Sequence, residues 1–503
     1  MKRSRLIFAV AVSLAGLIHT VQALQINPDG TGQVLIYPYY TVNANNSTLL
    51  SVVNATAKAK VVKVRLLEGY NGQDVLNFNL FLSRFDVWTG SIFSLVETEG
   101  GNLLTDDESC TIPDIMGAEG PGLLQLPAPD GRSYVPLHKG QYQTDGGPQA
   151  ISRTREGHIE LIEMATIVPG SALESAVTHN MDSVPAGCTN LTATLDANRA
   201  DLARPTGGLF GAAIIVNPTL GTLIGYNADA IDGFYQLPGN LYTFSGSAYP
   251  NLKDARTTET TVVAYNYAPT TADGPSNAIS SSYDVAHAID AVSSLFAAET
   301  ISNEYVVEAV SASESEWVVT FPTKNYYVNQ TPATAPFLDR FAAPGQSCTK
   351  FGAHFNDREE REPHDPFDCG FICLAMPPVH LCYESNVLTF QKELDYAALG
   401  GVSPVLGSKL TFNVDPRAEG FTSGWMRMDL NPNDALAAEP HALRVSGDGD
   451  IYHGLPVTGF LATNYLNRNN GGPNVLSTYS TSGRHRASRN CTNATTGGNG
   501  FCS

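Results

Sequence analysis

Beyond its N-terminal segment the chain has no apolar run long enough to cross a bilayer as a helix. It has no C-x-x-C pair, which takes away the zinc-ribbon and thioredoxin-like readings. It also lacks a G-x-S-x-G nucleophile elbow, an H-E-x-x-H helix, a phosphate-binding P-loop and a C-x-x-C-H haem attachment. A catalytic triad can still assemble from distant segments, but no short motif argues for one. Basic residues are scarce: 30 Lys and Arg stand against 49 Asp and Glu, for a net charge of −19. That balance excludes nucleic acid and anionic membrane surfaces as partners read from overall charge. Charged residues of both signs make up only 16% of the chain, whereas glycine reaches 45 and proline 30. Low charge with many turn formers fits an exported, β-rich protein better than a helical one.

What is present begins with "MKRSRLIFAVAVSLAGLIHTVQA". Lys2, Arg3 and Arg5 form a basic head, Leu6 to Ile18 an apolar stretch, and Val21 to Ala23 a small-residue cleavage signal. A secretory signal peptide is expected over residues 1–23, so the mature chain is expected at the cell surface, outside the cell or in the periplasm. Its removal leaves 27 basic against 49 acidic residues, a net charge of −22. Export places the eight cysteines in an oxidising compartment. Locality and nesting pair them as Cys110–Cys188, Cys348–Cys382, Cys369–Cys373 and Cys491–Cys502, one scheme among the many that eight cysteines allow.

Strand signals are strongest early. Val62, Val64 and Leu66 alternate with Lys63 and Arg65, and Leu76, Phe78, Leu80 and Leu82 follow the same period after the turn signal Asn71-Gly72. This predicts a hairpin with one buried face, flanked by strands at Thr48–Val53 and Trp88–Phe93. Further strands are expected at Gly157–Val168, Leu209–Ile231, Trp317–Asn329, Ser385–Gln391 and Ser423–Leu430, with Pro322 marking a bulge or an edge. Val285, Ile289, Val292 and Phe296 recur at helical spacing within Ser282–Ile301. Loops are expected over 103–153 and 233–276. The fold class is therefore mainly β: immunoglobulin-like sandwich units with one or two inserted helices and long disulfide-held loops. The expected division is a signal peptide over 1–23, an N-terminal β-sandwich region with a loop-rich insertion over 24–245, a helix-containing middle region over 246–345, and a disulfide-rich C-terminal β region over 346–503.

Several stretches recur together, and in this order, in one group of proteins: "LLSVVNATAKAKVVKVRLLEGYNGQDVLNFNLFLSRFDVWTG", "WVVTFPTKNYYV", "NDREE", "LCYESNVLTF", "GLPVTGFLATNYLN" and "RHRASRNCT". Through them the chain resembles exported bacterial proteins usually labelled hypothetical or cell-surface protein, over nearly the whole mature length. The resemblance implies residence outside the cytoplasm. It implies no reaction and transfers no functional residue.

Four places invite chemistry. In "GHIELIEM", His158 and Glu160 share one face of a strand, as an acid–base pair or as the polar side of a half-exposed strand. "DLNPND" aligns Asp429, Asn431 and Asn433 like the start of a calcium loop, but Asp434 and Pro440 stand where that loop needs glycine and glutamate. "SGDGD" offers Asp448 and Asp450. The acidic span from Ala353 to Cys382 offers Asp357, Glu359, Asp365 and Asp368 as calcium candidates, with His354, His364 and His380 in no metal-ligand spacing. A disulfide-held surface loop is the expectation there; a calcium-stabilised loop and a catalytic or transition-metal site are its alternatives. No cofactor is implied, calcium being the one candidate cation. Tyr37, Tyr39, Tyr40, Tyr326 and Tyr327 are aromatic candidates for a glycan surface. The expected role is structural or adhesive, without catalysis; the alternative is an extracellular carbohydrate-active hydrolase or a glycan-binding protein. Surface glycans, other surface proteins and further copies of the chain are the candidate partners.

Overall fold

The computed structural model of the chain describes residues 23–96, 99–115, 126–127, 133–181, 184–271, 274–362, 379–390, 402–432, 441–467, 477–496 and 500–502. The signal segment expected over 1–23 lies outside them, save for Ala23. The fold is mainly β, in sheets whose pairs are antiparallel except for Ser385–Thr389 beside Thr411–Asn413, with few helices. Among the described residues no helix is long and apolar enough to cross a membrane.

The predicted hairpin is the spine of the N-terminal half. Lys60–Glu68 pairs with Asp74–Leu82, bringing Val64 opposite Phe78 and Leu66 opposite Leu76. Gly72 takes the left-handed conformation in the turn, with φ +59°, which costs glycine little. Glu156–Ile167 pairs with the other edge of Lys60–Glu68 and with Val34–Thr41, completing the centre of an eight-stranded sheet. A seven-stranded sheet, including Ser47–Asn54, Val87–Phe93 and Leu209–Asn217, faces it. Val64, Leu66, Leu76, Phe78 and Trp88 fill the space between them.

The hairpin does not have one buried face; it has two. Val34, Ile36, Ile162 and Ile231 on the outer side of the eight-stranded sheet join Trp317, Val319 and Tyr327 in a second core. Lys60, Lys63, Arg65, His158, Glu160 and Glu163 are consequently buried. Alternation tells which residues share a face. It does not tell whether another layer covers the polar face.

That layer is the C-terminal half. One five-stranded sheet runs Val379–Leu381, Thr349–Asp357, Ser423–Asp429, Thr300–Val306, Arg486–Ser488. The other runs Thr411–Asn413, Ser385–Thr389, Ser313–Thr320, Thr458–Tyr465, Tyr479–Arg484. Thr300–Val306 and Ser313–Thr320 thus pair with strands from beyond residue 346, and the middle and C-terminal regions build shared sheets. Leu209–Ile231 is three strands, not one. The strand expected over Trp317–Asn329 stops at Thr320, ahead of Pro322, and Asn325–Val328 is a helical turn. The helix is shorter than its pattern, spanning Ala288–Phe296, because Ser276–Asp284 is a strand and Val285–His287 a 3-10 turn capped by Asp284.

The two halves are joined side chain to backbone. Thr320 donates to the Pro38 carbonyl at 2.6 Å, and Leu223 N–H donates to Ser480 Oγ at 2.8 Å. Tyr226 stacks on Phe460 with ring centroids 4.4 Å apart.

Candidate functional site

Glu160 and His158 are brought together but not exposed. Register places Glu160 beside Arg65, whose Nη1 lies 2.5 Å from Glu160 Oε2 while the same guanidinium holds Asp74 at 3.1 and 3.2 Å. His158 Nε2 is 3.8 Å from Glu160 Oε1, and neither ring nitrogen has a hydrogen-bond partner. Along the same face Lys60 Nζ meets Glu163 at 2.9 Å, and Glu163 also accepts from the backbone of Thr206 and Gly207. Burial draws the Lys63 ammonium down to about 7, with Asp74 acting against it. Arg65 with Glu160 and Asp74, and Lys60 with Glu163, form closed pairs, and their arrangement is that of a brace between layers, with His158 buried among them and unbonded. The half-exposed strand expected for "GHIELIEM" is corrected accordingly.

Further buried ions extend the brace. Lys324 donates to the carbonyls of Ser347, Leu381 and Tyr383 at 2.6, 3.4 and 3.2 Å. Burial pulls it to about 7 although Glu384 and Asp339 favour its charge. Glu316 accepts from Ser403 Oγ and from the backbone N–H groups of Val405 and Leu406 at 2.8, 2.7 and 2.9 Å, yet burial pushes it up to about 7. Neither Lys324 nor Glu316 stands out in sequence, because each has its partners in segments far along the chain.

The acidic span is only partly described. Asp357 ends its strand, accepts from the N–H groups of Glu359 and Arg361 at 2.9 and 2.8 Å, and pairs with the Arg361 guanidinium at 2.5 Å. That turn consumes the Asp357 carboxylate, and Glu359 contributes its backbone to it. Asp365, Asp368, Cys369 and Cys373 lie outside the described residues. Among the described residues three disulfides are closed: Cys110–Cys188, Cys348–Cys382 and Cys491–Cys502. Cys348–Cys382 staples the paired ends of Thr349–Asp357 and Val379–Leu381. Asp450 lies near Cys491 and Cys502, but those sulfurs are bonded to each other and leave no thiolate for a metal.

The other acidic motifs are spent locally. Asp429 Oδ1 accepts the Asn431 N–H at 2.9 Å in a short turn, while Asn433, Asp434 and Pro440 lie outside the described residues. Asp448 accepts the Ser282 N–H and hydroxyl at 2.7 and 2.6 Å, and Asp450 accepts from Ser281 Oγ and Asn493 Nδ2 at 2.7 and 2.8 Å.

The sequence-chosen tyrosines do not make a surface. Tyr37, Tyr39, Tyr40 and Tyr327 are buried, and Tyr326 is half-buried beside Lys253. Exposed tyrosines occur instead in a segment expected to be loop. Thr261–Pro269 and Ser276–Asp284 form a two-stranded ribbon that lays Val262, Ala264 and Tyr283 against the core. Its opposite side presents Tyr265 and Tyr267, 38% and 57% exposed, across from Ser280 and Ala278. The small partners leave both rings uncovered. Leu24 bridges Ala264, and Gln25–Ile26 then pairs with Ile231 and Asp232 of the eight-stranded sheet instead of with the ribbon. The gap is a cleft of about 550 Å³ lined by Ile26, Pro28, Tyr265, Tyr267, Ser488 and Arg489, among others. The groove of about 420 Å³ over Leu49, Thr89 and Ile214 counts for less than this cleft, because its lining holds no cation and no aromatic ring.

No protein-family model, no curated protein and no solved structure matches the chain.

Proposed function

We propose that the chain is an exported, non-catalytic binding protein of the bacterial surface or extracellular space, and that it adheres to glycans. The observation that carries this reading is the pair of uncovered tyrosine rings at the mouth of the ribbon cleft. Tyrosine combines a rigid apolar face with a hydroxyl and loses little conformational entropy on contact, which suits a sugar ring. The closed disulfides support an oxidising compartment. The test is binding of purified protein to immobilised glycans, beside the Tyr265→Ala/Tyr267→Ala variant. Binding by the parent that the variant loses supports the reading; a parent that binds no glycan overturns it.

A further inference from the structure

The sequence segment "RHRASR" places Arg484, Arg486 and Arg489 close together in a chain whose net charge is −19. Each arginine has a different fate. Arg484 is tied to Asp229. Arg486 is exposed on the edge strand Arg486–Ser488. Arg489 is partly buried and lines the ribbon cleft. Its Nη1 donates to Asn266 Oδ1 at 3.2 Å, and its Nη2 donates to the Leu295 carbonyl near the end of the Ala288–Phe296 helix. These two bonds fix the plane of the guanidinium. Among the described residues no carboxylate lies within ion-pair distance of it, in contrast to Arg65, Arg153 and Arg484.

A guanidinium has more N–H donors than these two bonds use, and its fork matches a carboxylate. Burial, with Arg484 as a nearby like charge, draws the Arg489 cation below its ordinary range, while Tyr452 and the more distant Asp229 carboxylate, already tied to Arg484, act in the opposite direction. A cation held in that state gains from an arriving anion. Tyr265 and Tyr267 stand at the same cleft, so a ring and a carboxylate can be engaged together. The acidic remainder of the surface repels long anionic polymers and favours a short or terminal acidic residue.

We propose that Arg489 is the carboxylate-binding residue of this cleft, and that the glycan it takes ends in, or consists of, uronic or sialic acid. The proposal rests on the glycan reading above. Arg486, on the neighbouring edge, adds attraction for the same charge without fixing orientation.

The experiment titrates the full-length mature protein with trigalacturonic acid and with 3′-sialyllactose, each beside its methyl ester, which keeps the shape and removes the charge. For at least one sugar the acid should bind at least about tenfold more tightly than the ester, in line with one charge-assisted hydrogen-bonded pair, and added salt should narrow the gap. Arg489→Gln should bring acid and ester to equal affinity, whereas Tyr265→Ala/Tyr267→Ala should weaken both. Equal affinity of the unaltered protein for acid and ester overturns the carboxylate proposal and leaves the glycan reading standing. Binding of neither form, with no neutral glycan bound, overturns both. Should Arg489→Gln not fold, equal affinity of the unaltered protein for acid and ester still overturns the proposal, and loss of the acid preference in Arg486→Gln overturns the assignment to Arg489.

Discussion

Arg153 grips the Glu68 carboxylate with two nitrogens, Nε to Oε2 at 2.7 Å and Nη2 to Oε1 at 2.8 Å, and both side chains are wholly buried. The same carboxylate accepts the N–H groups of Tyr70, Asn71 and Gln73 at 2.7, 3.0 and 3.1 Å. Arg153 extends to Asp145 at 2.5 Å and lies over the Tyr142 ring at 4.4 Å. One ion pair thus pins the hairpin turn to the loop-rich segment before Glu156–Ile167. Removing one partner leaves a buried charge alone, which costs about 3–5 kcal/mol. Arg153→Met should therefore lower stability by about that much in urea unfolding. The double variant Glu68→Gln/Arg153→Met should be less damaged than the sum of its single changes, because the two residues share one interaction. Additive losses would argue that the pair does not act as a unit.

The hairpin register makes a second prediction. Leu76 and Phe78 face the inter-sheet core, so Leu76→Asp or Phe78→Asp places a carboxylate among apolar side chains. Either change should abolish cooperative thermal unfolding. Asn77 points the other way, is only partly buried, and accepts the Gly246 N–H at 2.7 Å through Oδ1, which an aspartate can also do. Asn77→Asp should shift the melting temperature by a few degrees at most, roughly what a surface change of under 1 kcal/mol produces. Equal loss from all three substitutions would refute the register.

These residues also show why the chain was legible in part. Val64, Leu66, Leu76 and Phe78 announce a strand pair because period-2 alternation is local, and Asn71-Gly72 announces the turn for the same reason. Lys63, Arg65, His158 and Glu160 misled because polar residues at alternate positions signal exposure only when nothing covers the sheet; here Val319 and Tyr327 belong to the layer that does. The ribbon gives only a weak strand signal although Val262, Ala264, Asn266 and Ala268 alternate with Tyr265 and Tyr267. Its buried side is small and partly polar, so the apolar contrast is weak. Arg489 could not be placed at all, since the cleft draws on the N-terminal segment, the ribbon and the last sheet edge together.

The disulfides differ in what they constrain. Cys110–Cys188 closes a separation of 78 residues, Cys491–Cys502 one of 11. Loop-closure entropy assigns roughly 4–5 kcal/mol to the first and about 3 to the second. Cys110→Ser/Cys188→Ser should lower the unfolding midpoint more than Cys491→Ser/Cys502→Ser. Unfolding curves of both variants, with thiol labelling to confirm that no free cysteine remains, check the order. A reversed order would mean that native-state contacts near residue 491 outweigh the chain entropy.

Three of the buried groups are shifted toward neutrality and contribute to the dependence of stability on pH. Glu316 is pushed up to about 7 by burial, above the ordinary carboxylate range. Between that ordinary range and pH 7 the folded state holds a proton the unfolded chain has released, so stability falls as pH rises through this window. Lys63 and Lys324 are drawn down to about 7, again chiefly by burial. Above pH 7 the unfolded chain holds the protons that the folded state has lost, and stability rises toward the ordinary lysine range. The two limbs meet near neutrality, where these groups contribute a minimum. Lys63→Met isolates one of them. Its ammonium donates at 2.8 Å to the carbonyl of Phe244, an exposed residue, and has no carboxylate within ion-pair distance among the described residues. The variant should be more stable than the parent at pH 7, and its stability should climb less between pH 7 and 10, by on the order of 2–3 kcal/mol. Urea unfolding at stepped pH measures both. Parallel pH profiles for parent and variant would show that Lys63 keeps an ordinary ammonium in the folded protein.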